Sequence, residues 1–241
     1  MRIDDLIVLA RTVPEESKKY GRRVCLAGMS KDLGLVRVYP LTVDNPLRSR
    51  REASLEVERN PDDSRYESFK LKDAVGSILS VTDSPVLGTS DVCSFAEKTS
   101  TTIARLNEQR KSLGFVQVIG CPEIIFRTRE SIPDPDQREL WSGFMQDLAA
   151  SDFRSGPTFR HVPYLRFKDA GGWHELQFRE WGAYEYLRKI NGKGHELSTI
   201  LKLPESRDFF VFVGNMTSHR SAWMVLQLFS RNAQQMRMFA S

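Results

Sequence analysis

Val24-Cys25-Leu26-Ala27-Gly28 and Leu35-Val36-Arg37-Val38-Tyr39, joined through Ser30-Lys31-Asp32-Leu33-Gly34 and followed by Pro40, decide the fold class. Both runs are short and rich in β-branched residues, and the loop between them is short enough for a hairpin. Pro40 ends the second arm, because proline has no N–H to give to a ladder. Upstream, Ile3-Asp4-Asp5-Leu6-Ile7-Val8-Leu9-Ala10 reads as a third strand of the same small sheet. Downstream, 54–59, 66–71 and 77–82 continue in the same style, and so many short strands close naturally as a curled sheet or small barrel.

From Asp91 to Leu113 the period changes. Val92, Phe95, Ala96, Ile103, Leu106 and Leu113 fit a helical stripe broken around Thr99 to Thr102, which predicts one helix or two short ones. Strands follow at 115–119 and 124–126. Ser131-Ile132-Pro133-Asp134-Pro135-Asp136 then reads as a linker into a helix near 136–150, so a division is expected there, into 1–130 and 131–241. In the second part, 161–167 and 173–178 predict a hairpin, and 179–190 predicts a short aromatic helix. Phe209-Phe210-Val211-Phe212-Val213 and 222–229 are the most apolar strands of the chain, joined by a polar loop from Gly214 to Ser221. The expected class is α+β and β-rich, with OB-like small barrels and a few packed helices.

Composition limits the function classes. The 241 residues are 40% hydrophobic and 27% charged, the values of a folded globular chain rather than a disordered or fibrous one. No run of about 18 apolar residues occurs and the first residues lack a signal-peptide order, so a cytoplasmic protein without membrane contact is expected. Cys25, Cys93 and Cys121 form no CxxC and read as buried apolar fillers in a reducing compartment. The net charge of +4 permits a nucleic-acid partner without requiring one. The chain has no P-loop, no GxGxxG after a strand and no GxSxG elbow. Its four histidines have no metal-ligand spacing, and neither a metal nor another cofactor is expected.

Several residues carry candidate chemistry. Arg37 and Tyr39 share a strand face, where an arginine can hold a phosphate and a tyrosine can stack a base, or where both can simply be exposed. Two basic clusters, Lys18-Lys19-Tyr20-Gly21-Arg22-Arg23 and Arg48-Ser49-Arg50-Arg51, flank that face in sequence. Arg65 and Glu67 share a strand face as an ion pair or as a positioned carboxylate. Glu180 and Trp181 open the aromatic helix, where an acid also suits the helix dipole. On the polar loop, Asn215 offers a donor and an acceptor, His219 a titratable group and Arg220 a fixed cation; alternatively Asn215 makes a local turn bond and His219 is exposed.

These segments together resemble a group of bacterial and archaeal proteins. Ser17-Lys18-Lys19-Tyr20-Gly21, Val24-Cys25-Leu26-Ala27-Gly28 and Val36-Arg37-Val38-Tyr39-Pro40 resemble its "KY…VCxAG…RLYP" opening. Arg65, Glu67 and Ser68 resemble its "RxES". His174, Glu180 and Trp181 loosely resemble "H…DWE", and Phe212, Gly214, Asn215 and Trp223 resemble the final "FxGN…W". The resemblance spans most of the chain. Here Glu180-Trp181-Gly182 stands for Asp-Trp-Glu, which removes one acid, and a cysteine pair that some relatives carry is absent, which removes a metal from any shared chemistry. The group resembles the dual OB-like domain proteins of anti-phage defence loci, which implies DNA, often modified phage DNA, as partner.

Two functions from different classes are therefore expected. One is a metal-free DNA glycosylase that excises a modified base from phage DNA and leaves an abasic site. In it Tyr39 or Trp181 stacks the base, Asn215 reads its edge, Glu67 or Glu180 stabilises charge on the sugar, and His219 protonates the leaving base. The alternative is a non-catalytic sensor or adaptor for modified or single-stranded nucleic acid, with Lys18, Lys19, Arg37, Tyr39, Arg65, Trp181 and Arg220 in the binding surface under either function. A metal-dependent nuclease is the weakest, because convergent acids are not apparent.

Overall fold

The computed structural model describes residues 1–17, 20–73, 76–127, 162–189, 203, 207–217 and 219–232. The helix expected near 136–150, and Lys18 and Lys19, lie outside them. The chain divides into two units, one over Met1–Gly88 and one beginning at Thr89. The division falls at residue 88, not 130. The strands β8 (Leu113–Val118) and β9 (Glu123–Arg127), which precede residue 130, pair within the second sheet and leave the first without them.

The first unit contains β1 (Arg2–Arg11), β2 (Glu15–Ser17), β3 (Gly21–Ser30), β4 (Gly34–Leu41), β5 (Glu52–Arg59), β6 (Ser68–Leu71) and β7 (Ile78–Val81). The order β1-β3-β4-β6-β5 closes on itself, because β1 pairs with both β3 and β5. The result is a five-stranded barrel, antiparallel except where β4 runs parallel to β6. Its interior is aliphatic: Leu6, Val8, Leu26, Val36, Val38, Leu55 and Val57 are fully buried. Each such side chain contributes about 1.5–3 kcal/mol by leaving water. A register shift between Ile3 and Leu6 lets both point inward although two acids separate them. Those acids bond outside, Asp4 to Ser54 at 2.6 Å and Asp5 to Ser30 at 2.7 Å.

The second unit adds α1 (Thr89–Thr99), α2 (Ile103–Glu108), β10 (Val162–Asp169), β11 (Gly172–Phe178), α3 (Trp181–Lys189), β12 (Arg207–Asn215) and β13 (Trp223–Asn232). The break between α1 and α2 falls where the helical stripe was interrupted. The six-stranded sheet runs β8-β12-β13-β11-β10-β9, with β11 and β13 parallel. Gly120, at φ +80, turns the chain between β8 and β9. With β8 and β9 taken as two halves of one first strand, the order repeats that of the first barrel, including the single parallel pair.

The apolar run in β12 is explained by burial on both faces. Phe210 and Phe212 lie on one side, where Phe212 stacks on Phe115 at 4.8 Å and Phe95 of α1 packs edge-on to Phe115 at 5.8 Å. Phe209, Val211 and Val213 lie on the other, in one cluster with Ile103 and Leu106 of α2 and Ala183 and Leu187 of α3. Asp169 links the hairpin tip to α2: one oxygen accepts from Gly171 N at 2.6 Å and Gly172 N at 3.0 Å, the other from Ile103 N at 3.0 Å.

The cysteines are not alike. Cys93 is buried, and burial pushes its thiol up to about 11. Cys25 is half-buried beneath Arg37, and Cys121 is exposed, so the expectation of three buried fillers holds only for Cys93. Among the described residues no helix is long and apolar enough to cross a membrane.

Gly28 tests the barrel's closure, because a Cβ there would overlap the Ile7 carbonyl oxygen across the β1–β3 ladder. Gly28→Ala is expected to destabilise the chain by about 1–3 kcal/mol through overpacking, read as a lowered urea midpoint with unchanged slope.

Candidate nucleic-acid interface

Alternation along β4 places Arg37 on the barrel's outer side, as expected, but that side is covered there. Arg37 is 4% exposed, and its guanidinium lies against the Cys25 thiol at 3.7 Å. The turn 60–67 passes over it, and Arg37 N donates to the Glu67 carbonyl at 2.9 Å. Burial lowers the Arg37 pKa, opposed by the neighbouring Cys25 and Glu67. Arg37 is thus an enclosed arginine and not a phosphate contact on an open face. Tyr39, two residues on, is half-buried and packs edge-on against Tyr20 at 6.4 Å.

Arg65 and Glu67 sit in the turn before β6 rather than on a strand, and both are buried. The partner of Arg65 is Asp63, held through Nε at 2.8 and 3.0 Å and through a terminal nitrogen at 2.5 Å. Burial raises the Asp63 carboxyl, but hydrogen bonds from Arg65 and Ser68 outweigh it and hold the group well below the usual carboxylate range. Asp63 is a buried member of this pair, with 6% of its side chain exposed.

In the second unit Glu180 precedes α3. One of its carboxyl oxygens is fully enclosed, and burial pushes the group up to about 7 against a hydrogen bond from Gln227. Trp181, the first residue of α3, is half-buried. Asn215 ends β12 and is 1% exposed; its Nδ2 donates to the Arg220 carbonyl at 2.8 Å, which closes the loop. That is the local turn bond, with no edge left at the surface. His219 is half-exposed and Arg220 exposed on the same loop. Asn215 pairs with Trp223, four positions along β13 from Gln227, or about 13 Å at the rise of a strand. Glu180 and Asn215 therefore do not converge. His174 does not join them: its Nε2 lies 3.0 Å from Asp169 and its ring 5.3 Å from Phe167. Glu67 belongs to the other unit.

The open aromatic face lies elsewhere. On the outer side of β10 and β11, Lys168 faces Trp173 and Arg166 faces Glu175 in register. Trp173 is 66% exposed, and the Arg166 guanidinium sits 5.5 Å from its ring centroid. Arg127 of β9 holds Glu175 through two bonds at 2.5 and 2.8 Å, and Glu123 lies 4.0 Å from Arg166. This face carries three cations and two carboxylates. Residue-by-residue reading missed it. The alternation Tyr164-Leu165-Arg166-Phe167-Lys168 gives both cations one side, but the register that brings Trp173 beside them exists only once the hairpin is formed.

Comparison with known proteins adds limited detail. Residues 2–85 match the family model described as a domain of unknown function, DUF8758, a span that covers the first barrel. No curated protein matches the chain. Among solved structures, a murine DNA-binding protein bound with double-stranded DNA is 11% identical over 94% of this chain and 96% of that one, at a TM-score of 0.32. A structure described as the molecular basis for abrogation of activation of pro-inflammatory cytokines is 7% identical over 96% and 93%, at a TM-score of 0.34.

Two pH responses follow from these carboxyls. The lowered Asp63 pKa stabilises the fold above the unfolded value near 4, and that stabilisation is lost as pH falls toward the folded value. Asp63→Asn should therefore cost about 3 kcal/mol at neutral pH, with the gap to wild type narrowing below about pH 4 in urea titrations. Glu180 has the opposite sign: its fold-favoured proton stabilises below the unfolded pKa, and the benefit is lost as pH rises through about 7. Glu180→Gln should match wild type at about pH 4 and exceed it in melting temperature at about pH 8.

Proposed function

We propose that this chain binds unpaired nucleic acid without chemistry, through two OB-like barrels. The barrel reading is supported by the strand order β1-β3-β4-β6-β5 with β4 parallel to β6, and by its recurrence in the second unit with β11 parallel to β13. OB barrels are partly open five-stranded sheets whose outer strand faces take single strands. The single observation that carries the binding reading is Trp173, two-thirds exposed between Arg166 and Lys168. An aromatic plane beside cations gives a base a stacking partner and its phosphate a counter-charge, whatever the base. In the working scheme the strand passes over β10 and β11, and DNA from phage, modified or plain, is the expected source.

A binding function is favoured over base excision by the commitments of the acids and amides. Glu67 and Arg65 are enclosed, and Asn215 closes its own loop. One observation favours the glycosylase: Glu180, beside Trp181, has a carboxyl pushed up to about 7, a value suited to a general acid. Incubation in chelator with plain and with hydroxymethylated or glucosylated DNA, followed by aldehyde labelling, separates the two. Abasic sites formed only by the protein with functional Glu180 would establish excision.

The binding reading is tested by fluorescence anisotropy with labelled single- and double-stranded oligonucleotides across salt. Binding should weaken steadily with salt and favour the single strand. Trp173→Ala should lower affinity by about tenfold, the worth of one stacked base. Equal affinity in the variant would overturn this placement of the surface.

A further inference from the structure

The first barrel carries a concavity of about 230 Å³ whose walls differ in chemistry. Pro40, Leu41 and Ile78 give it an apolar side, Tyr20 an aromatic one, and Arg23 and Lys70 its charge. Among the described residues no carboxylate lines it. It lies where β3, β4 and β6 adjoin the loop after β4, on the unit opposite in sequence to Trp173.

The lining is held in place before any ligand arrives. Tyr39 props Tyr20 edge-on, and the Tyr20 hydroxyl donates to Asp62 at 3.3 Å. Asn45 pins the floor: its side chain donates to the Thr42 carbonyl and accepts from Leu47 N at 3.1 Å. A pocket fixed in this way loses little entropy when filled. Its cations are unequal. Lys70 is bridged to Glu58 at 2.9 Å, and Asp62 also lies close enough to raise its pKa, so much of its charge is already answered. Arg23, whose guanidinium donates to the Arg22 carbonyl at 2.8 Å, is the cation that remains for an anion.

We propose that this concavity binds one nucleotide unit, with its base against Tyr20 and the apolar wall and its phosphate on Arg23. The volume is below the usual range for drug-sized ligands, which suits a single planar ring with one anionic group. Adjacent aromatic and cationic walls match that division, since the base supplies a π-face and the phosphate oxygens accept from the planar fork of arginine. The site shares the nucleic-acid reading but uses none of the residues around Trp173. It would give the first unit a contact of its own.

The test is an amide NMR titration of the full chain with deoxyadenosine 5′-monophosphate. Shifts should cluster at Tyr20, Leu41, Lys70 and Ile78. Deoxyadenosine alone and inorganic phosphate alone should each bind about tenfold more weakly, as should the nucleotide to Arg23→Gln and Tyr20→Ala. The comparison of nucleotide with its two parts needs no variant and stands even where a substitution unfolds the barrel. A single-stranded tetranucleotide giving the same shifts at lower concentration would assign the site to a strand; equal binding of mononucleotide and tetranucleotide would assign it to a free nucleotide. Both outcomes support the pocket. Trp173→Ala should leave this titration unchanged, so failure of the β10–β11 face and failure of the pocket read out separately. Absence of shifts at these residues, or nucleoside binding as tight as nucleotide with Arg23→Gln silent, would overturn the proposal.

Discussion

A strand has two hydrogen-bonding edges, and β1 uses both. Pairing with β3 on one side and β5 on the other turns a sheet into a barrel and removes the exposed edges that would invite aggregation. Two consequences follow. The register shifts that let β1 bend around the barrel also restore its inward phase, so Ile3, Leu6 and Val8 all reach the core. And β4 must lie parallel to β6, which requires the chain to cross over rather than turn back. That crossing is the segment 42–51, which supplies the floor of the concavity at Asn45 and the whole of the second basic cluster.

The same closure explains why polar residues with a chemical look have structural duties. After β5 in the first unit, and after β12 in the second, the chain must turn into the next strand of its sheet. In the first unit this is the turn after β5, where the buried Asn60 accepts from Asp62 N at 3.1 Å. In the second it is the loop after β12, where Asn215 donates to Arg220. Both asparagines occupy the same position in the strand order, and both bond a backbone group of their own turn. The Asp63–Arg65 pair lies in the first of these turns, whose Glu67 carbonyl accepts from Arg37 N of β4. A charge in such a place is costly to leave unanswered, and Asp63 and Arg65 answer each other within the turn.

The legible parts of the fold were those governed by local periodicity. The β3–β4 hairpin, the break between α1 and α2, and the doubly buried β12 could be read from spacing and composition because each depends on residues a few positions apart. The division after Gly88 could not, because β8 and β9 look the same whichever sheet they join; only their pairing with β12 and β10 decides. Arg37 shows the limit at the level of one side chain. Alternation correctly gave its side of the strand, but a strand's own pattern carries no record of a turn sixty residues into the chain that covers that side. Trp173 is the converse: its neighbours Arg166 and Lys168 lie across a ladder, and register, not sequence distance, brings them together.

Burial also separates the functions open to the molecule. Catalysis needs a titratable group that both meets a substrate and holds a tuned pKa, and the carboxylates here divide between those needs. Asp63 and Asp169 are both lowered, but by bonds that hold turns together, and a lowered pKa makes each a poor proton donor or acceptor near neutrality. Glu123 and Glu175 reach the surface, where each offsets an arginine. Among the described residues Glu180 alone combines a raised pKa with a half-buried position. Against this single acid stand aromatic and cationic groups presented by each unit. Recognition by stacking and counter-charge needs only such groups, whereas excision would need a second polar group brought to Glu180, and Asn215, the nearest amide the sequence suggested, is held about four strand positions away by the β12–β13 register. The binding proposed above therefore asks less of these residues than excision would.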